Sequence, residues 1–167
     1  VVTMPETVDG SVLVAVVARD DNQGSGISGP AGWTLIDDID TGTGDDREAG
    51  AWYRVVSDAS LEPATYDFSV FDNGEGYVAW VGALVNVETK NVLDVANTWD
   101  QYSNNPNPPA TSVTTVTDSA LVLSAWYTPF DSDMLQPFSD WEPRASNVLN
   151  GDNTGVLQIA SLQYNHH

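Results

Sequence analysis

The chain has 167 residues, 41% of them hydrophobic, which is enough for one domain with a real core and too apolar for a disordered acidic tail. Twenty-four Asp and Glu stand against five Lys and Arg, a formal net charge of −19, which argues against nucleic acid and anionic membrane surfaces as partners, since both need clustered cations. No apolar run approaches the ~20 residues of a membrane-spanning helix, and the lack of cysteine removes disulfides, thiol catalysis and thiolate metal sites.

Self-repulsion of this size is screened in salty water, so the balance points to a marine or halophilic source and suits cation binding. The chain opens on "VVTMPETVDG" without an initiator methionine, which fits a mature form or an excised piece. His166-His167 reads as the remnant of a purification tag, leaving residues 1–165 as a single domain.

The elements in chain order are nearly all β. "SVLVAVVAR" (Ser11–Arg19) is a β-branched run that ends in the loop "DDNQGSGISGPAG". "WTLIDDI" follows, then an acidic turn, then "AGAWYRVV" (Ala49–Val56), in which Ala51, Tyr53 and Val55 alternate with Trp52, Arg54 and Val56. "DASLEPA" has the composition of a turn. "TYDFSVF" alternates, with Tyr66, Phe68 and Val70 on one face and Thr65, Asp67 and Ser69 on the other. "DNGEG" is a turn with glycine where φ > 0 is needed. "YVAWVGALVNV" is apolar on both faces and is expected to be a central, covered strand. "NVLDVANTW" is a weaker strand candidate, and "SNNPNPPA" is a rigid polar loop. "TSVTTVT", "SALVLSAWYT", "RASNVL" and "GVLQIASLQY" complete the set, with "PFDSDMLQPFSD" as a further loop. No stretch holds a helical period with caps. Nine or ten short strands with frequent turns predict an all-β fold, an antiparallel two-sheet sandwich of jelly-roll-like form.

An internal echo supports two related halves. Asp9-Gly10-Ser11-Val12-Leu13-Val14 resembles Asp118-Ser119-Ala120-Leu121-Val122-Leu123. Each is followed at nearly the same interval by a tryptophan, Trp33 or Trp141.

The order "DGSVLVAVVA", "PAGWTLI", "AWYRVVS", "EPATYDFSV", "YVAWVGALVNV" resembles a family of β-sandwich domains found in bacteriophage tail and fibre proteins and in large secreted proteins of marine and environmental prokaryotes. Its pattern is P-x-G-W-T, an apolar strand with an aromatic pair, and E-P-x-[ST]-Y-x-[FW]. The resemblance covers roughly Asp9 to Asp94 and reaches the second half only through the echo. It implies a non-catalytic structural or adhesive module outside the cell, on a virion or a cell surface, whose motif residues are structural. The family pattern usually continues for one more strand beyond an "A-S-L"-like segment. That raises the expectation of a sheet edge completed by strand addition from another subunit of the same assembly.

The residues offer material for three classes of site. For metal, Asp38, Asp40, Asp45 and Asp46 form the best candidate Ca²⁺ site, since alternate carboxylates on a glycine-rich loop can aim oxygens at one ion. The stretch lacks the further acids of an EF-hand loop. "DDNQGSG" and the pair Asp131, Asp133 are lesser candidates, and solvated acidic turns are the plain alternative among 18 Asp. For carbohydrate, Trp99, Asp100 and Tyr102 are the candidate platform, because they are least bound by strand pattern and could stack on and hydrogen-bond a sugar. A carbohydrate-binding module, Ca²⁺-assisted, is therefore the alternative function, with surface glycans as partner. Trp33 and Trp141 are assigned to packing. Catalysis is not expected. The only histidines are the terminal pair, which leaves no imidazole for a Ser-His-Asp triad or a zinc site. Glu48, Glu75 and Glu142 do not form the compact acidic motif of sandwich hydrolases.

Overall fold

The computed structural model describes residues 1–20, 26–40, 47–68, 77–95, 113–128, 142–148 and 156–163. Within them the chain is all-β. The strands are β1 (Val2–Thr3), β2 (Val12–Asp20), β3 (Thr34–Asp40), β4 (Arg47–Val55), β5 (Thr65–Tyr66), β6 (Tyr77–Leu84), β7 (Leu121–Thr128), β8 (Glu142–Val148) and β9 (Val156–Gln163). One short 3₁₀ turn, Ala59–Leu61, precedes β5. The strands form three antiparallel sheets: a ribbon β1-β5, a four-stranded sheet β3-β4-β2-β6 and a three-stranded sheet β7-β9-β8.

The four-stranded sheet is buried on both faces. Val16 and Ala18 of β2 join Ala49, Ala51 and Val78 on one face, against Leu157 and Ile159 of β9 with Ala125 and Tyr127 of β7. Ala15 and Val17 join Trp52 on the other, against Tyr66 and Phe68, with Val2, Met4, Ile27 and Trp33 closing over them. This explains why "VLVAVV" shows no alternation: a strand with no wet face needs no polar side.

β6 corrects one expectation. It pairs with β2 and lies at the end of the strand order among the described residues, not at the centre. Val78 is buried, most of its other side chains are half-buried, and Tyr77 is exposed. Apolarity on both faces reports what covers a strand, not how many neighbours it hydrogen-bonds. Residues 91–95 and 113–117, expected to start or carry strands, are turns and irregular chain. Asp94 ties them together, accepting from the Val116 amide at 2.7 Å and the Thr117 hydroxyl at 2.5 Å. These bonds hold its carboxyl below the usual range. Of "TYDFSVF" residues 65–68 are described; Thr65 and Tyr66 are strand, and the alternation holds through them, with Tyr66 and Phe68 buried and Thr65 and Asp67 exposed.

Two tryptophans lie along their own strands. A side chain at Gly50 would meet the Trp52 ring at 2.2 Å, and one at Gly82 would meet the Trp80 ring at 2.3 Å. Residues two apart share a face of a strand, so Gly-Ala-Trp and Trp-Val-Gly each clear a bed for an indole. β3, at the other end of the sheet, is bulged between Leu35 and Asp37, and the extra residue, Ile36, packs into the core shared with the three-stranded sheet. The bulge and the acids of β3 are the usual protection of an edge against unwanted pairing.

The echo extends to the backbone. Gly10 has φ +80° and Ser119, its counterpart ahead of β7, has φ +62°. Trp141, the second half of the echo, lies outside the described residues. A left-handed backbone costs a non-glycine residue ~1–2 kcal/mol, partly offset by the entropy a glycine loses on folding. Ser119→Gly is therefore expected to raise stability by about 0.5–1 kcal/mol, while Gly10→Ser lowers it, both read from urea unfolding midpoints.

Candidate functional site

The densest polar arrangement grows out of the three motif segments of the first half. β4 carries Trp52 into the core, and two residues on, Arg54 leaves the same face at the strand's end. The chain then turns through Asp58, whose carboxylate accepts from the Ser60 amide at 3.0 Å and caps the 3₁₀ turn. Asp9 accepts from the Ala59 amide at 2.7 Å and holds the turn to the start of β2. Glu62 follows, and its side chain is only 6% exposed. Arg54 Nε donates to both its oxygens, at 3.1 and 3.2 Å, and Nη2 donates at 2.9 Å. The Tyr66 hydroxyl donates to the same carboxylate in a short bond.

Arg54 reaches a third segment as well. Its Nη1 donates to the Gly32 carbonyl at 3.2 Å. Gly32 has φ +83°, and a Cβ there would sit 2.4 Å from that nitrogen, so the turn of "PAGWT" needs glycine for both conformation and space. The next residue, Trp33, stands edge-on to Tyr66 at 5.2 Å and to Phe68 at 5.3 Å, while Phe68 meets Trp52 at 5.4 Å. The Arg54 guanidinium lies 5.8 Å from the Tyr66 ring centre. Charge-assisted, forked bonds of this kind are the strong ones. They hold the Glu62 carboxyl below the ordinary 4.5, chiefly through the bonds from Arg54. The Arg54 guanidinium is raised by the same bonds. Burial first, and then the bond to Glu62, push the Tyr66 phenol up to about 12.

A second ion pair sits at the far end of β2. Arg19 and Glu48 are cross-strand partners, both 2% exposed. Arg19 Nε and Nη2 donate to Glu48 Oε2 at 2.8 and 2.6 Å, and the Gly26 amide donates to Oε1 at 3.0 Å. Glu48, weighed above as a catalytic acid, is thus enclosed and fully engaged.

The expected metal ligands are placed only in part. Asp38 and Asp40 lie on β3, not on a flexible loop; their register partners are Gly50 and Glu48. Asp38 is exposed, and its amide donates to Asp37 Oδ1 at 3.0 Å. Asp45 and Asp46 lie outside the described residues, as do Asp131, Asp133 and Glu75. Among the described residues no three His, Asp or Glu gather closely enough to hold an ion. Trp99, Asp100 and Tyr102 are likewise outside the described residues. Arg54 and Glu62 stood in the quoted motifs without an assigned role. The available signal was an arginine at an inward position of an apolar strand, since a charge there must have a partner.

No family model matches the chain, and neither a curated protein nor a solved structure is found to be similar to it.

Breaking a buried pair leaves an uncompensated charge, at a cost of ~3–5 kcal/mol, whereas replacing both partners by packed apolar groups is often close to neutral. Arg19→Met is expected to destabilise by that amount, and adding Glu48→Leu to recover most of it, as measured by thermal and urea unfolding of both variants.

Proposed function

We propose that the chain is a non-catalytic structural or adhesive module of an extracellular assembly, either a virion fibre or decoration protein or a cell-surface filament. The observation that carries this reading is where the inward charges go. Arg19 with Glu48, and Arg54 with Glu62 and Tyr66, satisfy one another and tie strands and turns together. Groups placed for chemistry would instead face a cleft with perturbed acids and bases aimed at a substrate. The motif segments resembling the phage and surface-protein family are spent on this internal framework, as a structural module would spend them.

The packing of the three-stranded sheet on one face of the four-stranded sheet supports a jelly-roll-like sandwich as the full architecture. The acidic surface supports a salty extracellular setting, with Ca²⁺ as a stabilising ion at the acidic stretch from Asp38 to Asp46. Other subunits of the same assembly are the proposed partners, joined by a strand added to a sheet edge.

Size-exclusion chromatography with light scattering, run from low to molar NaCl with Ca²⁺ or chelator, tests the proposal. Concentration-dependent assembly is the expected result. A chain that stays monomeric throughout and binds a glycan array, with binding lost in Trp99→Ala and Tyr102→Ala, would replace it with a carbohydrate-binding module.

A further inference from the structure

The two faces of the four-stranded sheet are closed by unequal means. One is covered by a whole sheet through an apolar cluster, and among the described residues Ser161, on the same face of β9 as Leu157 and Ile159, is the buried polar side chain there. The other is covered, among the described residues, by a ribbon of two residue pairs, Val2 with Tyr66 and Thr3 with Thr65, extended by one bond from the Met4 amide to the Ala64 carbonyl. The Trp33 turn completes that cover. A two-stranded ribbon this short has little stability of its own. What fastens it is the Glu62 carboxylate, which joins β4 through Arg54 and β5 through Tyr66, while Arg54 joins the Gly32 turn.

We propose that Glu62 is an acid-released latch: its protonation frees the Gly32-Trp33 turn, residues 57–64 and the β1-β5 ribbon, and uncovers the Ala15, Val17 and Trp52 face while the core against the three-stranded sheet stays closed.

The charged and titratable groups around the latch are Arg54 from β4, Tyr66 from β5, Asp58 and Asp9 at the 3₁₀ turn, and Asp67 beside the chain's first amino group at 3.9 Å. Asp9, Asp58 and Asp67 are exposed. Glu48, the other carboxylate buried on this face, sits at the opposite end of β4 with its own arginine. The sign follows from linkage. A carboxyl held below its unfolded value of 4.5 contributes fully above that pH, and the contribution is lost as pH falls through the lowered value. Tyr66, raised above 10 to about 12, contributes below pH 10 and loses its contribution only in strong alkali.

Hydrogen exchange read by mass spectrometry from pH 7 down to about pH 3, corrected for intrinsic rates, separates local from global opening. Peptides covering 26–36 and 57–68 are expected to lose protection roughly tenfold per pH unit as the pH falls below 4.5, while those covering 12–18 and 156–163 keep theirs. Glu62→Gln is expected to show the acid pattern already at pH 7 and to change little on acidification. Tyr66→Phe removes one donor from the carboxylate and serves if Glu62→Gln does not fold; its transition is expected at higher pH than the parent's. Simultaneous loss in all four peptides overturns the proposal. A parent-like transition in Glu62→Gln also overturns it, as does an unmoved midpoint in Tyr66→Phe.

Discussion

β2 has no face in water, and the rest of the structure answers to that constraint. A strand reading Val-Leu-Val-Ala-Val-Val with every side chain buried requires cover above and below. The three-stranded sheet supplies the first cover by ordinary apolar contact. Among the described residues the second is assembled from short pieces: a two-pair ribbon, a 3₁₀ turn and one tryptophan turn. Small covers need specific fasteners. The forked Arg54–Glu62 bond, the Tyr66 hydroxyl and the aromatic edge contacts of Trp33 supply them. Among the described residues the paired charges therefore lie on the side of the thin cover, whereas Ser161 is the buried polar side chain on the side of the thick one.

The same constraint governs how large side chains are fitted. Trp52 is 3% exposed and Trp80 packs against the opposite core, yet both sit on a sheet whose interior strands carry mostly Val and Ala. They fit because each lies over a glycine two residues along its own strand. A glycine within a strand ordinarily weakens it. Here the loss is offset by the apolar area that a flat-lying indole buries. Trp52 is pinned on a second side by Gly29, where a Cβ would stand 2.7 Å from the ring. The glycines of "GPAGW" and "AGAW" thus serve one indole from two directions.

Period and turn chemistry made the strands legible: β2, β3, β4, β6, β7, β8 and β9 all fall on segments that read as β in the sequence. The place of β6 was not legible, because hydrophobicity records burial while strand order records hydrogen-bonded neighbours. The alternate carboxylates and glycines around Asp38 read as an ion-binding loop, whereas the strand runs on through Asp40 because register with Glu48 and Ala49 extends the ladder. The latch was half legible. Its residues stood in the motifs, but only folding brings Gly32, Arg54 and Glu62 together, and nothing in their spacing along the chain announces it. The Arg19–Glu48 pair has the same character, being set by antiparallel register between distant segments.

The charge excess makes the engaged acids stand apart from the rest. Of the 24 acidic residues, Glu48 and Glu62 are buried against arginines, whereas Glu6, Asp9, Asp38, Asp58, Asp67, Glu88 and Asp118 are exposed. These two groups respond to acid in opposite senses. Protonating exposed carboxylates on a body of net charge −19 relieves self-repulsion and favours the compact state, an effect that salt mutes. Protonating Glu62 removes the acceptor of a forked charged bond and disfavours one cover of one sheet. The general term thus supports the fold while the specific term undoes a fastener of the thin cover. Among the described buried residues no ionisable side chain faces the core between the two larger sheets, which gives that core no electrostatic reason to follow.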